Sequence, residues 1–266
     1  ALPIGDGKVT TAGARRGSVY ACVTMRGGGG AFQDGPWISA DGTYDLTRKA
    51  IVNGQVSWRG SATLNIARSG RARVISGNAV PTRGTTGIFP IRSSDDAYRY
   101  DRNPNRIAAQ SVRYTVPAAP TAAARPSCLR PGAIAVATNG VAIFNALDGE
   151  NRDAVAHETQ DSCQGHPERT SLYHYHSASP CLYSAAAARR PGGVIVGWAL
   201  DGFPIVAERN ADGSAITNAN LDACHGRTSA ITWSGRRVRA YHYVATLQYP
   251  YTLGCFRGTP AAPGDE

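Results

Sequence analysis

Six widely spaced cysteines, Cys22, Cys128, Cys163, Cys181, Cys224 and Cys255, constrain this chain more than any other feature. Their number is even and no Cys-x-x-Cys pair occurs. That argues against a zinc ribbon or a thioredoxin-like redox motif, and for three disulfides formed in an oxidising compartment. Six cysteines allow fifteen pairings. The preferred one joins Cys22 to Cys128, Cys163 to Cys181 and Cys224 to Cys255, because the last two bridges close local loops around the segments that carry the histidines. The chain starts Ala1-Leu2-Pro3 and has no Asn-x-Ser/Thr sequon. Both features lead to the expectation of a bacterial exported protein whose signal peptide has been removed.

Between the cysteines the chain reads as short strands and turns. Asp41-Gly42, Asn53-Gly54, Asn139-Gly140, Asp201-Gly202 and Asp212-Gly213 separate apolar or β-branched segments, as hairpin turns do. Strands are expected at 18–24, 62–66, 73–75, 87–91, 111–116, 133–137, 141–144, 194–200, 203–206 and 237–246. Helix signals are confined to 152–158 and 184–190. The glycine run 27–30 lacks the Lys-Ser/Thr of a phosphate loop and reads as a turn. The tail from Pro260 reads as loose. No repeat of about 20–50 residues stands out, and no run approaches the ~18 apolar residues of a membrane span. The expected fold is mainly β: a compact antiparallel-sheet architecture, sandwich- or barrel-like, with long loops, few short helices and three disulfides. Residues 1–266 are expected to form a single domain with an internal boundary loop near 117–126, where the sequence is Pro/Ala-rich.

Apolar residues make up 42% and charged residues 18%, which excludes a disordered chain. The formal charge is +9, and lysine occurs only at Lys8 and Lys49, so the cations are almost all arginine. They are scattered, without aromatic interleaving, so no specific nucleic-acid partner is expected. An anionic extracellular polymer is the partner that this charge would suit.

All six histidines lie at or beyond residue 157. In Tyr173-His174-Tyr175-His176, strand geometry puts both histidines on one face, about 6.5–7 Å apart at Cα, and both tyrosines on the other. Two imidazoles at that spacing can converge on one metal. His166 follows Cys163-Gln164-Gly165, His225 lies between Cys224 and Gly226, and His242 lies in Tyr241-His242-Tyr243, an echo of the first motif whose strand could lie beside it. His166, His225 and His242 are therefore the supplementary ligand candidates. Asp201 is a candidate carboxylate ligand or a partner that fixes a histidine tautomer. His157 reads as a hydrogen-bonded structural histidine, because Asp161 stands where a zincin would need a second histidine. Imidazole donors suit Zn or Cu, and an unperturbed imidazole would lose its metal below about pH 6.

Together these segments resemble the YHYH-domain family of exported bacterial proteins. The resemblance runs from Leu2-Pro3-Ile4-Gly5-Asp6-Gly7-Lys8 and Asp34-Gly35-Pro36-Trp37-Ile38 through Phe144–Asp148, Gly165-His166, Tyr173–His176, Ala199–Ile205 and Leu221–Cys224. It ends at Tyr249-Pro250-Tyr251 and Gly254–Gly258. It implies a metal role for the signature histidines but no settled activity. It also implies further histidines at places held here by Arg227 and Val244. The reading is a secreted or periplasmic protein that binds Zn or Cu at a site centred on the Tyr-His-Tyr-His strand, for handling or structural use. The rivals are a metal-dependent extracellular enzyme (Zn hydrolase or Cu oxidoreductase) and a cell-wall or polymer-binding module in which Trp37, Trp58, Trp198 and Trp233 would stack on the ligand.

Overall fold

The computed structural model describes residues 1–25 and 27–261; the end of the Pro260 tail lies outside the described residues. The fold is mainly β, with several small sheets around one eight-stranded sheet and no closed barrel. The strands of the large sheet are β1 (Ala133–Ala137), β2 (Ala142–Phe144), β3 (Gly165–Pro167), β4 (Tyr173–Tyr175), β5 (Val194–Ala199), β6 (Pro204–Ala207), β7 (Gly226–Trp233) and β8 (Arg236–Ala245). Their spatial order is β3-β4-β2-β1-β5-β6-β8-β7. Most pairs are antiparallel, but β2 with β4 and β6 with β8 are parallel, so the sheet is mixed where an antiparallel one was expected. The only α-helices among the described residues are α1 (Ala154–His157) and α2 (Ala185–Ala188), within the two segments whose sequence signals a helix.

The sheet consists of two copies of one unit. β1–β4 form a hairpin, a parallel neighbour and an antiparallel edge strand, and β5–β8 repeat that plan outward in the other direction. The hairpin turns fall at Asn139-Gly140 and Asp201-Gly202, with Gly140 at φ 91° and Gly202 at φ 87°, a backbone region that glycine enters without a Cβ penalty. Ile143 pairs with Tyr175 in one copy and Ile205 with Tyr243 in the other. His166 pairs with His174, and Arg227 with His242.

One apolar cluster runs from Val19 to Phe256 and includes Tyr173, Tyr175, Tyr243, Ile143 and Ile205. The disulfides are Cys22–Cys128, Cys163–Cys181 and Cys224–Cys255, the preferred pairing. Each closes a loop in the unfolded chain, an effect of about 3–5 kcal/mol in the chain-entropy picture.

Some local expectations do not hold. Asn53-Gly54 is no hairpin, because Ile51–Val52 pairs in parallel with Gln160–Asp161 instead. Residues 87–91 form no strand. The Pro/Ala segment ends in a strand, Ala122–Ser127, that pairs with Phe256–Gly258. Trp37 is buried, donating from its indole to the Ala156 carbonyl, and so is unavailable for stacking on a ligand.

Candidate metal centre

The first unit builds its site from a tight turn. Asp161 Oδ1 accepts the amides of Cys163 and Gly165, and both its carboxylate oxygens accept the Tyr173 hydroxyl. Tyr173 therefore crosses over the start of β3, and a Cβ at position 165 would collide with its ring. Glycine is required there by packing. The Cys163–Cys181 bridge ties the turn to the loop after β4. Tyr175, on the same face as Tyr173, accepts a hydrogen bond from the Asn139 amide. Both tyrosines thus anchor one face of β4 in the core, and the alternation of the strand throws His174 and His176 to the other.

On that face three imidazoles converge. His174 Nε2 lies 3.1 Å from His176 Nε2, and His176 Nε2 lies 3.2 Å from His166 Nε2. All three residues are buried. His174 donates from Nδ1 to the Leu172 carbonyl at 3.2 Å, and His176 from Nδ1 to the Asn145 carbonyl at 2.5 Å. A carbonyl can only accept, so these bonds put the proton on Nδ1 and leave the Nε2 lone pair facing the centre. Phe144 stacks on the His174 ring at 3.9 Å and fixes its plane.

Beside the trio lies Glu158, which the sequence did not single out. It follows α1, whose N-cap Asp153 accepts the Val155 and Ala156 amides. Its Oε2 lies 3.5 Å from His166 Nε2 and 3.4 Å from His176 Nε2. That oxygen is buried and has no hydrogen-bond partner. The only signal in the sequence is its place in His157-Glu158-Thr159-Gln160-Asp161.

Burial decides the charge states. It pushes His166 and His174 well below the ordinary imidazole value and His176 down to about 4, so all three are neutral at pH 7. Burial, with Asp101 and Asp148 nearby, pushes the Glu158 carboxyl well above its ordinary range. The Nε2 lone pairs of His174 and His176, the His166 ring and the unpartnered Glu158 oxygen thus form a buried polar cluster whose unsatisfied atoms a cation would engage; His166 Nδ1 has no partner that fixes its tautomer. Four ligands at 2.0–2.1 Å from a tetrahedral zinc stand about 3.3–3.4 Å apart. Four of the six separations among the three Nε2 atoms and Glu158 Oε2 lie between 3.1 and 3.5 Å; the three imidazole nitrogens all lie within 4.8 Å of one another, and Glu158 pairs with His166 and His176 but not with His174. The trio is therefore compatible with metal binding.

The other sequence candidates lie elsewhere. The two Tyr-His-Tyr strands are not neighbours: four strands separate β4 from β8, about 24 Å at ~4.8 Å per step. His242 contacts Glu208 Oε1 through Nε2 at 2.8 Å. His225 is buried with Nε2 on Thr246 Oγ1 at 2.9 Å, and burial pushes it down to about 3. Asp201 accepts the Phe203 and Gly258 amides and the Tyr243 hydroxyl, and so serves the core of the second unit. His157 is the structural histidine expected, held at 2.8 Å by both Asp6 and Asp34.

Residues 113–218 match the family model described as YHYH protein. The match covers the whole first unit and β5–β6, and stops before β7 and β8. No curated protein and no solved structure matches the chain.

Proposed function

We propose that this is an exported protein that binds one transition metal ion through His166, His174, His176 and Glu158, for metal handling or as a structural clamp. The observation that carries the reading is the convergence of three buried imidazole Nε2 atoms within 4.8 Å of one another, with an unpartnered buried carboxylate oxygen beside two of them. Three imidazoles and a carboxylate suit Zn best; Cu(II) shares the donor preference but favours a tetragonal arrangement. Such an ion would act as a Lewis acid only with an open coordination position, and a complete four-ligand set leaves none. The non-catalytic role is accordingly preferred to the enzymatic one. Three disulfides and the family point to an oxidising, extracytoplasmic compartment.

The test is metal content after loading with Zn and desalting. Wild type should retain one Zn per chain, and His174→Ala/His176→Ala none, while its circular dichroism spectrum stays that of the wild type. Retention of metal by the double variant would place the ligands elsewhere. A wild type that takes up neither Zn nor Cu would overturn the reading.

A further inference from the structure

The second unit reproduces the scaffold of the first site in detail. Asp222 Oδ1 accepts the amides of Cys224 and Gly226, as Asp161 does those of Cys163 and Gly165. His225 at φ 70° occupies the left-handed position that Gln164 holds at φ 59°. The Tyr241 hydroxyl reaches back to Asp222, as Tyr173 does to Asp161, and a Cβ at Gly226 would collide with Tyr241 as one at Gly165 would with Tyr173. His242 donates from Nδ1 to the carbonyl two residues before it, as His174 does. The tyrosine pairs 173/175 and 241/243 both stand 5.6 Å apart, edge to face.

Cross-strand register then fixes the equivalences. His174 corresponds to His242, His166 to Arg227, and His176 to Val244. Val244 is fully buried against Ile216 and Leu221, so apolar packing fills the place of one imidazole. At the place of another, the Arg227 guanidinium donates from Nε to Glu208 Oε1 at 2.9 Å, and His242 Nε2 meets the same oxygen at 2.8 Å. A buried carboxylate stands against the cross-strand partner of the strand histidine in both units, Glu158 against His166 and Glu208 against Arg227, while its second contact differs, His176 in the first unit and His242 in the second. In the first its inner oxygen has no partner; in the second it is bonded to a fixed positive charge.

We infer that Glu208, Arg227 and His242 form a duplicate of the first unit's site in which the Arg227 guanidinium holds the cation's place, so that a divalent transition metal binds there once that guanidinium gives way to an imidazole. The inference rests on the proposed metal role of the first unit. It also sharpens that role: a guanidinium brings charge and directed N–H groups but no Lewis acidity. The task common to both cations is thus to tie a buried carboxylate to the histidine strands.

The test uses the full chain carrying Arg227→His, in the wild-type background and in His174→Ala/His176→Ala, each loaded with Zn and desalted. Arg227→His should add one Zn per chain in both backgrounds, and adding His242→Ala should remove the gain. A folded Arg227→His protein with no more Zn than its parent would overturn the inference. Absence of Zn from the wild type alone would instead count against the first site. Arg227→Ala covers the case in which the histidine variant does not fold. Arg227 is 22% exposed, so millimolar methylguanidinium can reach the vacated space and should restore the melting temperature lost in Arg227→Ala. If it leaves that melting temperature unchanged, Arg227 holds no cation seat.

Discussion

At one end of the main sheet Glu158 lies beside His166 and His176 with its inner oxygen unpartnered, while at the other Glu208 lies between His242 and Arg227 and bonds to both. The two carboxylates respond in opposite directions. Burial pushes both up, but at Glu158 only the Lys49 and Arg152 charges oppose it and they do not prevail, whereas the hydrogen bonds from His242 and Arg227 bring Glu208 below its ordinary value. The same supersecondary unit therefore holds a carboxylate bonded to a guanidinium in one copy and an unpartnered carboxyl oxygen beside neutral imidazoles in the other. The difference turns on few positions, because the turn, the tyrosine anchors and the register are common to both.

Chelation should break the comparison most strongly. Removing Zn from the wild type should lower its stability by about 4 kcal/mol if the free metal stood near a thousand times its dissociation constant. The His174→Ala/His176→Ala protein should show no chelator effect. Thermal unfolding with and without chelator reads both outcomes, and equal shifts in the two proteins would break the link between the ion and the first unit.

Neutralising each carboxylate comes next. Glu208→Gln leaves Arg227 and His242 without their acceptor charge and should cost about 2 kcal/mol, less than the ~3–5 of a fully buried pair because Arg227 is partly exposed. The cost should be the same with and without metal. Glu158→Gln should change the metal-free protein by less than about 1 kcal/mol, since its carboxyl is already held towards the neutral form. It should nonetheless weaken Zn binding by tenfold or more. Urea unfolding and Zn titration of the two variants check this, and a large metal-free loss in Glu158→Gln would contradict the unpaired state of that oxygen.

Acid sharpens the first half alone. An imidazole binds metal only when neutral, and burial has moved His176 down to about 4. The expectation of release below about pH 6, drawn from an ordinary imidazole, is corrected downwards: Zn should be retained at pH 5.5 and lost nearer pH 4. For the metal-free protein the sign is also set. Between about pH 6.5 and about 4 the unfolded chain takes up protons that folded His176 refuses, so stability falls as pH falls, by up to about 3 kcal/mol. Denaturant midpoints across this range check it.

The smallest effect concerns His157. Burial opposes its charge, but the Asp6 hydrogen bond and the Asp6 and Asp34 charges outweigh burial and raise its pKa. Its contribution is complete below the unfolded value of about 6.5 and is lost as pH rises through the folded one. Because Asp6 and Asp34 are 43% and 58% exposed, His157→Gln should cost no more than about 1 kcal/mol at pH 6 and less at pH 8.

The sequence by itself pointed to the β class, the two local disulfides Cys163–Cys181 and Cys224–Cys255, the shared face of His174 and His176, and the structural place of His157. Each rests on a short-range rule: strand alternation, turn chemistry at Asn139-Gly140 and Asp201-Gly202, loops closed within tens of residues, or the missing partner at Asp161. The tertiary structure alone decided that His166 joins the trio, that Glu158 lies beside it, and that His225, His242 and Asp201 lie elsewhere. Those outcomes depend on which strands become neighbours, and that is fixed by pairing across the sheet. The duplication escaped the sequence for a related reason. Its copies are offset by 62 residues at Asn139 and Asp201 but by 68 at His174 and His242, because β7 and β8 extend into a long hairpin where the first unit has a short loop. No fixed period survives such an insertion, whereas hydrogen-bond register is indifferent to it.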